Sequence, residues 1–127
     1  MIKHNAILEV NLKNLAYNYK KLSNITDQSI CAATIKADAY GIGVIKTFET
    51  LYKNKCRHFF VATTEEAIEI RNKKSLGNVY VLNGLEGNEL SIFNNYNIIP
   101  IINDKDEYNF VSKNIKKYKK LKFGIHI

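Results

Sequence analysis

The sequence predicts an α/β fold in which about five parallel strands alternate with helices. From residue 29 onward, apolar runs and helical patterns follow one another in the order βαβαβαβαβ. Successive strands start roughly 20 to 30 residues apart, as expected of parallel βαβ units. Several strands are almost wholly apolar, which is typical of a sheet whose two faces are both covered. These observations together favour a parallel sheet.

The strands are recognised as short apolar or alternating runs. They are predicted at residues 6–12, 29–35, 58–62, 79–82, 98–102 and 121–127. The first and last alternate apolar and polar residues, so each should present one apolar face. The four between them are richer in apolar residues and should form the buried part of the sheet.

The helices are recognised from apolar residues at helical spacing. They are predicted over 12–23, from about Gly43, after Thr63, within 84–96 and after Asp104. Thr63 with Glu66, and Asp104 with Glu107, have the spacing of a helix N-cap and its third residue. In the last two helices the residues expected to face inward are Leu90, Phe93, Tyr96, Tyr108, Val111, Ile115 and Tyr118.

Two architectures fit this pattern. Five parallel strands could form an open, doubly wound sheet, or they could be the first part of an eight-stranded barrel, which usually needs about 250 residues. The 127 residues end directly on a predicted strand, at Ile127. We therefore expect residues 1–127 to be an incomplete domain.

Composition argues against two classes of partner. The net charge is +7, but it comes from 17 lysines and only 2 arginines, whereas nucleic-acid recognition often uses the arginine fork. We expect no nucleic-acid partner. No run of 18 apolar residues is present, so we expect no membrane partner.

The N-terminus lacks the pattern of a signal peptide, which favours a cytoplasmic protein. Cys31 and Cys56 show no disulfide or metal spacing and are expected to be reduced, structural thiols.

The stretch IKADAYGIG, residues 35–43, carries the most chemistry. Lys36 ends an apolar run, and active sites of parallel α/β folds lie at the carboxyl ends of strands. A desolvated lysine amine can attack an aldehyde, and the N-terminus of the helix near Gly43 favours an anion. Together these features suit pyridoxal phosphate. On residue chemistry alone, a solvated Lys36 and a packing Tyr40 remain open alternatives.

Residues 35–43 resemble the cofactor-lysine motif of bacterial alanine racemases, commonly VKANAYGHG or VKADAYGHG. Three further segments resemble that family in the same order. They are AILEVNLKNLAYNYKKL, HFFVATTEEAIEIR and VYVLNGLEGNEL. The resemblance thus runs over essentially the whole chain.

The resemblance implies a partial TIM (β/α)8 barrel, the N-terminal part of a pyridoxal-phosphate-binding domain. Residues 6–12 would be a strand belonging with a second, mostly β domain. Lys36 would be the Schiff-base lysine and the base on the D-alanine side. Tyr40 would bind the cofactor phosphate, and Leu82 would line the cofactor pocket. The expected activity is interconversion of L- and D-alanine for peptidoglycan synthesis, by a homodimer.

The chain also departs from the family pattern. Ile42 replaces the motif histidine, and His126 stands where many members carry a lysine. For His126, an inward-pointing polar group and an ordinary polar residue on a strand face remain open alternatives. The opposing catalytic base of the family would lie beyond residue 127, so the chain alone is expected to be inactive. The alternatives are a truncated, non-catalytic barrel fragment, a cofactor-binding protein of the same fold, or a related racemase or decarboxylase.

Overall fold

The computed structural model describes residues 6–85, 89–118 and 120–127. Its strands are β1 Ala33–Thr34, β2 His58–Val61, β3 Asn78–Val81, β4 Ile98–Ile102 and β5 Gly124–Ile125. Its helices are α1 Leu12–Ile25, α2 Lys36–Gly41, α3 Val44–Lys53, α4 Thr64–Lys73, α5 Leu90–Tyr96 and α6 Lys105–Asn114, followed by a 3₁₀ turn at Ile115–Lys117. The predicted alternation of strands and helices is confirmed.

The strand order decides between the two predicted architectures. All four pairings in the described chain are parallel, and the order across the sheet is β1-β2-β3-β4-β5, the same as the order along the chain. A doubly wound sheet reverses its strand order at a switch point. A barrel adds each new strand beside the previous one. The sheet is therefore of the barrel type, as the partial-barrel prediction required.

Burial divides the sheet into two faces. In β2 and β3 every second residue is fully buried, and these residues are Phe59, Val61, Val79 and Val81. They pack with α3, α4 and α5 into the main hydrophobic cluster, where the ring centroids of Phe59 and Phe48 are 4.2 Å apart. A second cluster lies between β4 and α6, around Ile102 and Val111. The core therefore lies on the helix-covered face.

The strand predicted at residues 6–12 is wrong. Residues 6–11 form no strand, and Leu12 already begins α1, with the Asn11 side chain accepting hydrogen bonds from the helix's first N–H groups. Ile7 and Leu8 are 93% and 73% exposed. A strand is stabilised by its neighbour across the ladder, and no strand in the described part of the chain pairs with this segment.

Two further strands are shorter than predicted. The segment 29–35 pairs only at Ala33 and Thr34, and the segment 121–127 only at Gly124 and Ile125. Both lie at the edges of the described sheet, where only one neighbour supports them. Apolar character therefore extends beyond the residues that pair.

Two tyrosines predicted to face inward are exposed. Tyr96 is 39% exposed and Tyr108 is 47% exposed. Tyr96 is the last residue of α5, and Tyr108 is the fourth residue of α6, whereas Leu90, Phe93 and Val111 are buried as predicted. The predicted segment 84–96 also includes residues 86–88, which lie outside the described residues.

Both cysteines are free, as predicted. Cys56 is buried, and this burial raises the pKa of its thiol. Near it, the Tyr19 hydroxyl donates a hydrogen bond of 3.0 Å to the Cys31 carbonyl, and burial raises the pKa of that phenol. This contact attaches α1 to the segment that leads into β1. Within the described ranges, we find no helix of the length and apolarity that crossing a membrane takes.

Candidate active site

Five residues follow the five strands at one edge of the sheet, and we call them the rim. Lys36 lies two residues after β1, and the others directly follow their strands; the rim residues are Lys36, Ala62, Leu82, Asn103 and His126. Three of them, Lys36, Ala62 and Leu82, are half-buried, and the other two are exposed. The parallel sheet thus gathers Lys36 and Leu82, both predicted site residues, at its carboxyl edge.

Hydrogen bonds of the Asn103 side chain join three of the five rim residues. Its amide nitrogen donates to the Leu82 carbonyl at 2.9 Å, and its amide oxygen lies 3.1 Å from His126 Nδ1. The backbone N–H of His126 donates to the Ile102 carbonyl at 2.9 Å. Sequence reasoning missed Asn103. The available signal was a polar side chain directly after the apolar run 98–102 and before the Asp104 cap.

His126 lies on the rim, exposed and beside Asn103. Its Nδ1 contact runs along the rim to Asn103, directly after the neighbouring strand β4, and both alternatives for the direction of its side chain stay open. The imidazole can act as donor or acceptor toward the Asn103 side chain, depending on its tautomer. The contact therefore fixes where the ring lies without defining its protonation.

The segment after Lys36 is a left-handed turn. Ala37, Asp38, Ala39 and Tyr40 have φ of 51°, 51°, 53° and 58°, so α2 is not an ordinary right-handed helix. The left-handed conformation costs a non-glycine residue about 1–2 kcal/mol, because Cβ crowds the following carbonyl. Such a run persists only where the surroundings hold it in place.

Two hydrogen bonds hold the start of this turn, and a third anchors the carboxylate that accepts one of them. The Ala39 N–H donates to the Ile35 carbonyl at 3.0 Å. The Ala37 N–H donates to Glu66 Oε1 at 2.7 Å, and the Ala62 N–H donates to Glu66 Oε2 at 2.7 Å. Glu66, on α4, thus connects the end of β2 with the turn that follows Lys36. Hydrogen bonds to an ionised carboxylate are stronger than neutral ones.

Asp38 supplies the anion at the start of α3. Its Oδ1 accepts the Val44 N–H at 2.7 Å, and its carbonyl accepts the Gly43 N–H at 3.0 Å. The sequence led us to expect that the N-terminus of this helix favours an anion such as phosphate. The N–H of Val44 does not serve that purpose here, because it already donates to Asp38. A carboxylate there also interacts favourably with the helix dipole.

Tyr40 and Ile42 lie at the far end of the turn. Tyr40 is 65% exposed, and both residues line an open cavity of about 240 Å³ against α1 and β1. Ile42 is half-buried against the main cluster, so an apolar residue suits the position where the family motif has histidine. Gly41 and Gly43 have φ of 85° and 94°, which accounts for glycine at both positions.

Strain at Ala37 leads to a testable expectation. Because Ala37 is exposed and its φ is 51°, Ala37→Gly should leave the free energy of unfolding unchanged or raise it by up to about 1 kcal/mol. The control is Ala16→Gly in the right-handed helix α1, which should lower it by about 1 kcal/mol. Urea unfolding followed by circular dichroism measures both. An equal loss in the two variants would contradict a left-handed turn at Ala37.

Aromatic side chains lie beneath the rim on the face opposite the main cluster. The rings of Phe60 and Tyr80 stack with centroids 4.6 Å apart, and the Tyr80 hydroxyl lies 2.8 Å from His58 Nδ1. All three are half-buried, and burial raises the pKa of the Tyr80 phenol. These residues form the floor below Ala62 and Leu82.

Comparison with known proteins agrees with this arrangement. The family model described as "Alanine racemase, N-terminal domain" matches residues 10–127. The chain belongs to the alanine racemase family. An alanine racemase of Rickettsia canadensis (strain McKiel) is 40% identical over 100 residues, which cover 76% of this chain and 28% of that protein. The chain thus spans less than a third of the length of this relative.

Solved structures show the same family fold. Alanine racemase from Bartonella henselae, solved with covalently bound pyridoxal phosphate, has a TM-score of 0.79 at 30% identity, over 87% of this chain and 32% of that one. Histidine racemase from Leuconostoc mesenteroides subsp. sake has a TM-score of 0.76 at 18% identity, over 88% and 30%. At that identity the second likeness concerns the fold alone. The alanine racemase fold of this chain is therefore shared by racemases of different substrates.

Proposed function

We propose that the protein carrying this chain is a pyridoxal-phosphate-dependent alanine racemase that interconverts L- and D-alanine for peptidoglycan synthesis. Membership of the alanine racemase family supports the reaction class. The position of Lys36 at the carboxyl edge of β1, beside the end of β2, is the single observation that carries the assignment. We further propose a homodimer in the cytoplasm.

The side chains present suit the cofactor chemically. Lys36 offers a primary amine for covalent attachment of an aldehyde. Leu82, half-buried on the rim, offers an apolar contact for an aromatic ring, and the exposed Tyr40 offers a hydroxyl for a phosphate. When bound, pyridoxal phosphate supplies an electron sink that stabilises negative charge at the substrate α-carbon.

Lys36 also has a proton-transfer role in the proposal. Lys36 would hold the cofactor when it is bound, and its free amine Nζ would take or return the α-proton on the D-alanine side. Racemisation needs a base on each face of the α-carbon, because the proton leaves one face and returns to the other. We propose that the second base lies outside residues 1–127. Residues 1–127 alone are therefore expected to racemise no alanine.

A non-catalytic cofactor-binding protein of the same fold is the second candidate. It shares with the first candidate the barrel-type sheet and the position of Lys36 at its carboxyl edge. Such a protein would still hold the cofactor at Lys36, but it would lack the opposing base. The two candidates therefore differ in activity and agree in the site of attachment.

One preparation tests both candidates. The protein is expressed from its complete gene, reduced with borohydride in the presence of pyridoxal phosphate, and mapped by peptide mass spectrometry. With 17 lysines in the sequence, an adduct confined to the Lys36 peptide is a specific result. An adduct on another lysine, or none, would reject both candidates. Chiral chromatography of D-alanine formed from L-alanine then separates the racemase from the non-catalytic protein.

A further inference from the structure

Glu66 contacts the backbone on the C-terminal side of Lys36. The Ala37 N–H, which belongs to the peptide unit formed with the Lys36 carbonyl, donates to Glu66 Oε1 at 2.7 Å. On the other side, the Ile35 N–H donates to the Phe60 carbonyl of β2 at 2.8 Å. The peptide units that flank Lys36 are thus held by the sheet on one side and by the Glu66 carboxylate on the other.

The carboxylate itself has a fixed position. Glu66 Oε2 accepts the Ala62 N–H at 2.7 Å, and the Glu66 N–H donates to Thr63 Oγ1 at 3.4 Å. Glu66 is half-buried. Its side chain is therefore anchored to the end of β2 and the start of α4, and it transmits the position of these elements to the turn after Lys36.

We propose that Glu66 is a positioning residue for Lys36. This inference rests on the proposed function, since it assigns Glu66 the task of orienting the lysine that carries the cofactor. Because residues 37–40 are left-handed, the turn would relax without an external acceptor for the Ala37 N–H. Relaxation would change the direction in which the Lys36 side chain leaves the rim. Glu66 touches neither cofactor nor substrate in this proposal.

The chain contains a matched control for Glu66. Glu107 occupies the same helical position in α6: its N–H donates to the Asp104 cap at 2.8 Å. Its Oε2 accepts the N–H of the rim residue Asn103 at 2.8 Å, and its Oε1 accepts the Leu85 N–H at 3.2 Å. The two glutamates make the same kinds of bond, but only Glu66 bonds a residue adjacent to Lys36.

The test compares Glu66→Gln with Glu107→Gln in the protein expressed from its complete gene. In glutamine one carboxylate oxygen becomes an NH₂ donor, so each variant loses one acceptor and sets two donors against each other. The readouts are the melting temperature, the rate at which hydroxylamine removes the bound cofactor, and amide hydrogen exchange at Ala37 and Ala62.

We expect both variants to melt at similarly lowered temperatures. Only Glu66→Gln should change the hydroxylamine rate, by roughly tenfold relative to Glu107→Gln, which corresponds to about 1.4 kcal/mol. The glutamine oxygen of Glu66→Gln can accept from only one of the two N–H groups, so the Ala37 or the Ala62 amide should lose protection in this variant. Equal hydroxylamine rates in the two variants, or Ala37 and Ala62 amides that both stay protected in Glu66→Gln, would overturn the proposal.

Two complications are covered by the same design. If Glu66→Gln does not fold, Glu66→Asp replaces it in the test. Aspartate keeps the charge but is one methylene too short to bond both N–H groups. Glu66→Asp should therefore show a smaller change in the hydroxylamine rate and a smaller loss of amide protection. If the wild-type protein holds no cofactor at Lys36, the proposed function fails while amide exchange at Ala37 still tests the positioning contact. The two failures are therefore distinguishable.

Discussion

Replacing Lys36 with alanine should remove covalent cofactor attachment and lower alanine racemisation by about 10²–10⁴-fold or more, the usual contribution of a positioned proton-transfer group. The expectation follows from the place of Lys36 on the rim and from its two proposed roles. The measurements are borohydride trapping with peptide mapping and D-alanine formation from L-alanine. The fold should be retained, because the backbone contacts on either side of position 36 come from Ile35 and Ala37.

Lys46→Ala is the control for this loss. Lys46 lies on α3, its side chain is 74% exposed, and it forms a 3.7 Å ion pair with Glu49. Exposed pairs of this kind contribute little to stability, so attachment and activity should stay at the wild-type level. A Lys36→Ala protein that still carried a reducible cofactor adduct would place the attachment on another lysine and would remove Lys36 from the mechanism.

Local sequence patterns predicted the helices well. The N-cap pairs Thr63 with Glu66 and Asp104 with Glu107 are confirmed at the backbone level, because a cap depends on residues within one turn of each other. The strand at 6–12 failed for the opposite reason. Its apolar residues alternate correctly, but pairing depends on a neighbour that local pattern does not supply.

The contacts that shape the site are the ones that sequence could not predict. A left-handed run through Ala37 and Tyr40 contradicts the preference of both residue types, and only Gly41 and Gly43 hinted at unusual backbone geometry. In a capping box, the Glu66 carboxylate would accept the backbone N–H of its own N-cap, Thr63. Instead it bonds Ala62 and, 29 positions away along the chain, Ala37. Long-range geometry decided both features.

The resemblance carried information that residue chemistry lacked. Lys36 at the end of an apolar run was compatible with an ordinary solvated lysine, and the rim became recognisable only when five strand ends met at one edge. The roles of Lys36, Tyr40 and Leu82 stay predictions that the mapping experiment tests first. Lys36 and Leu82 lie on one sheet edge, whereas Tyr40 lines the cavity against α1 and β1.

The second large effect concerns the core that supports this edge. Phe59→Ala should lower the free energy of unfolding by about 3–5 kcal/mol. Phe59 is fully buried in β2, and the centroid of its ring lies 4.2 Å from that of Phe48 on α3. The ring also packs closely against Gly77, where an added Cβ would lie 3.3 Å from Phe59 Cε2. Because a typical domain is stable by only about 5–15 kcal/mol, this loss should shift the urea midpoint strongly.

Phe110→Ala is the control for the loss of unfolding free energy in Phe59→Ala. Phe110 is half-buried beside the second cluster, so the same truncation should cost less, and circular dichroism in urea measures both variants. Phe59→Ala should also weaken cofactor retention, because Phe48 lies on α3, the helix whose first N–H is bound by Asp38 in the turn after Lys36. Equal losses in the free energy of unfolding at the two positions would mean that the main cluster does not dominate stability. The argument that this cluster supports the rim would then be rejected.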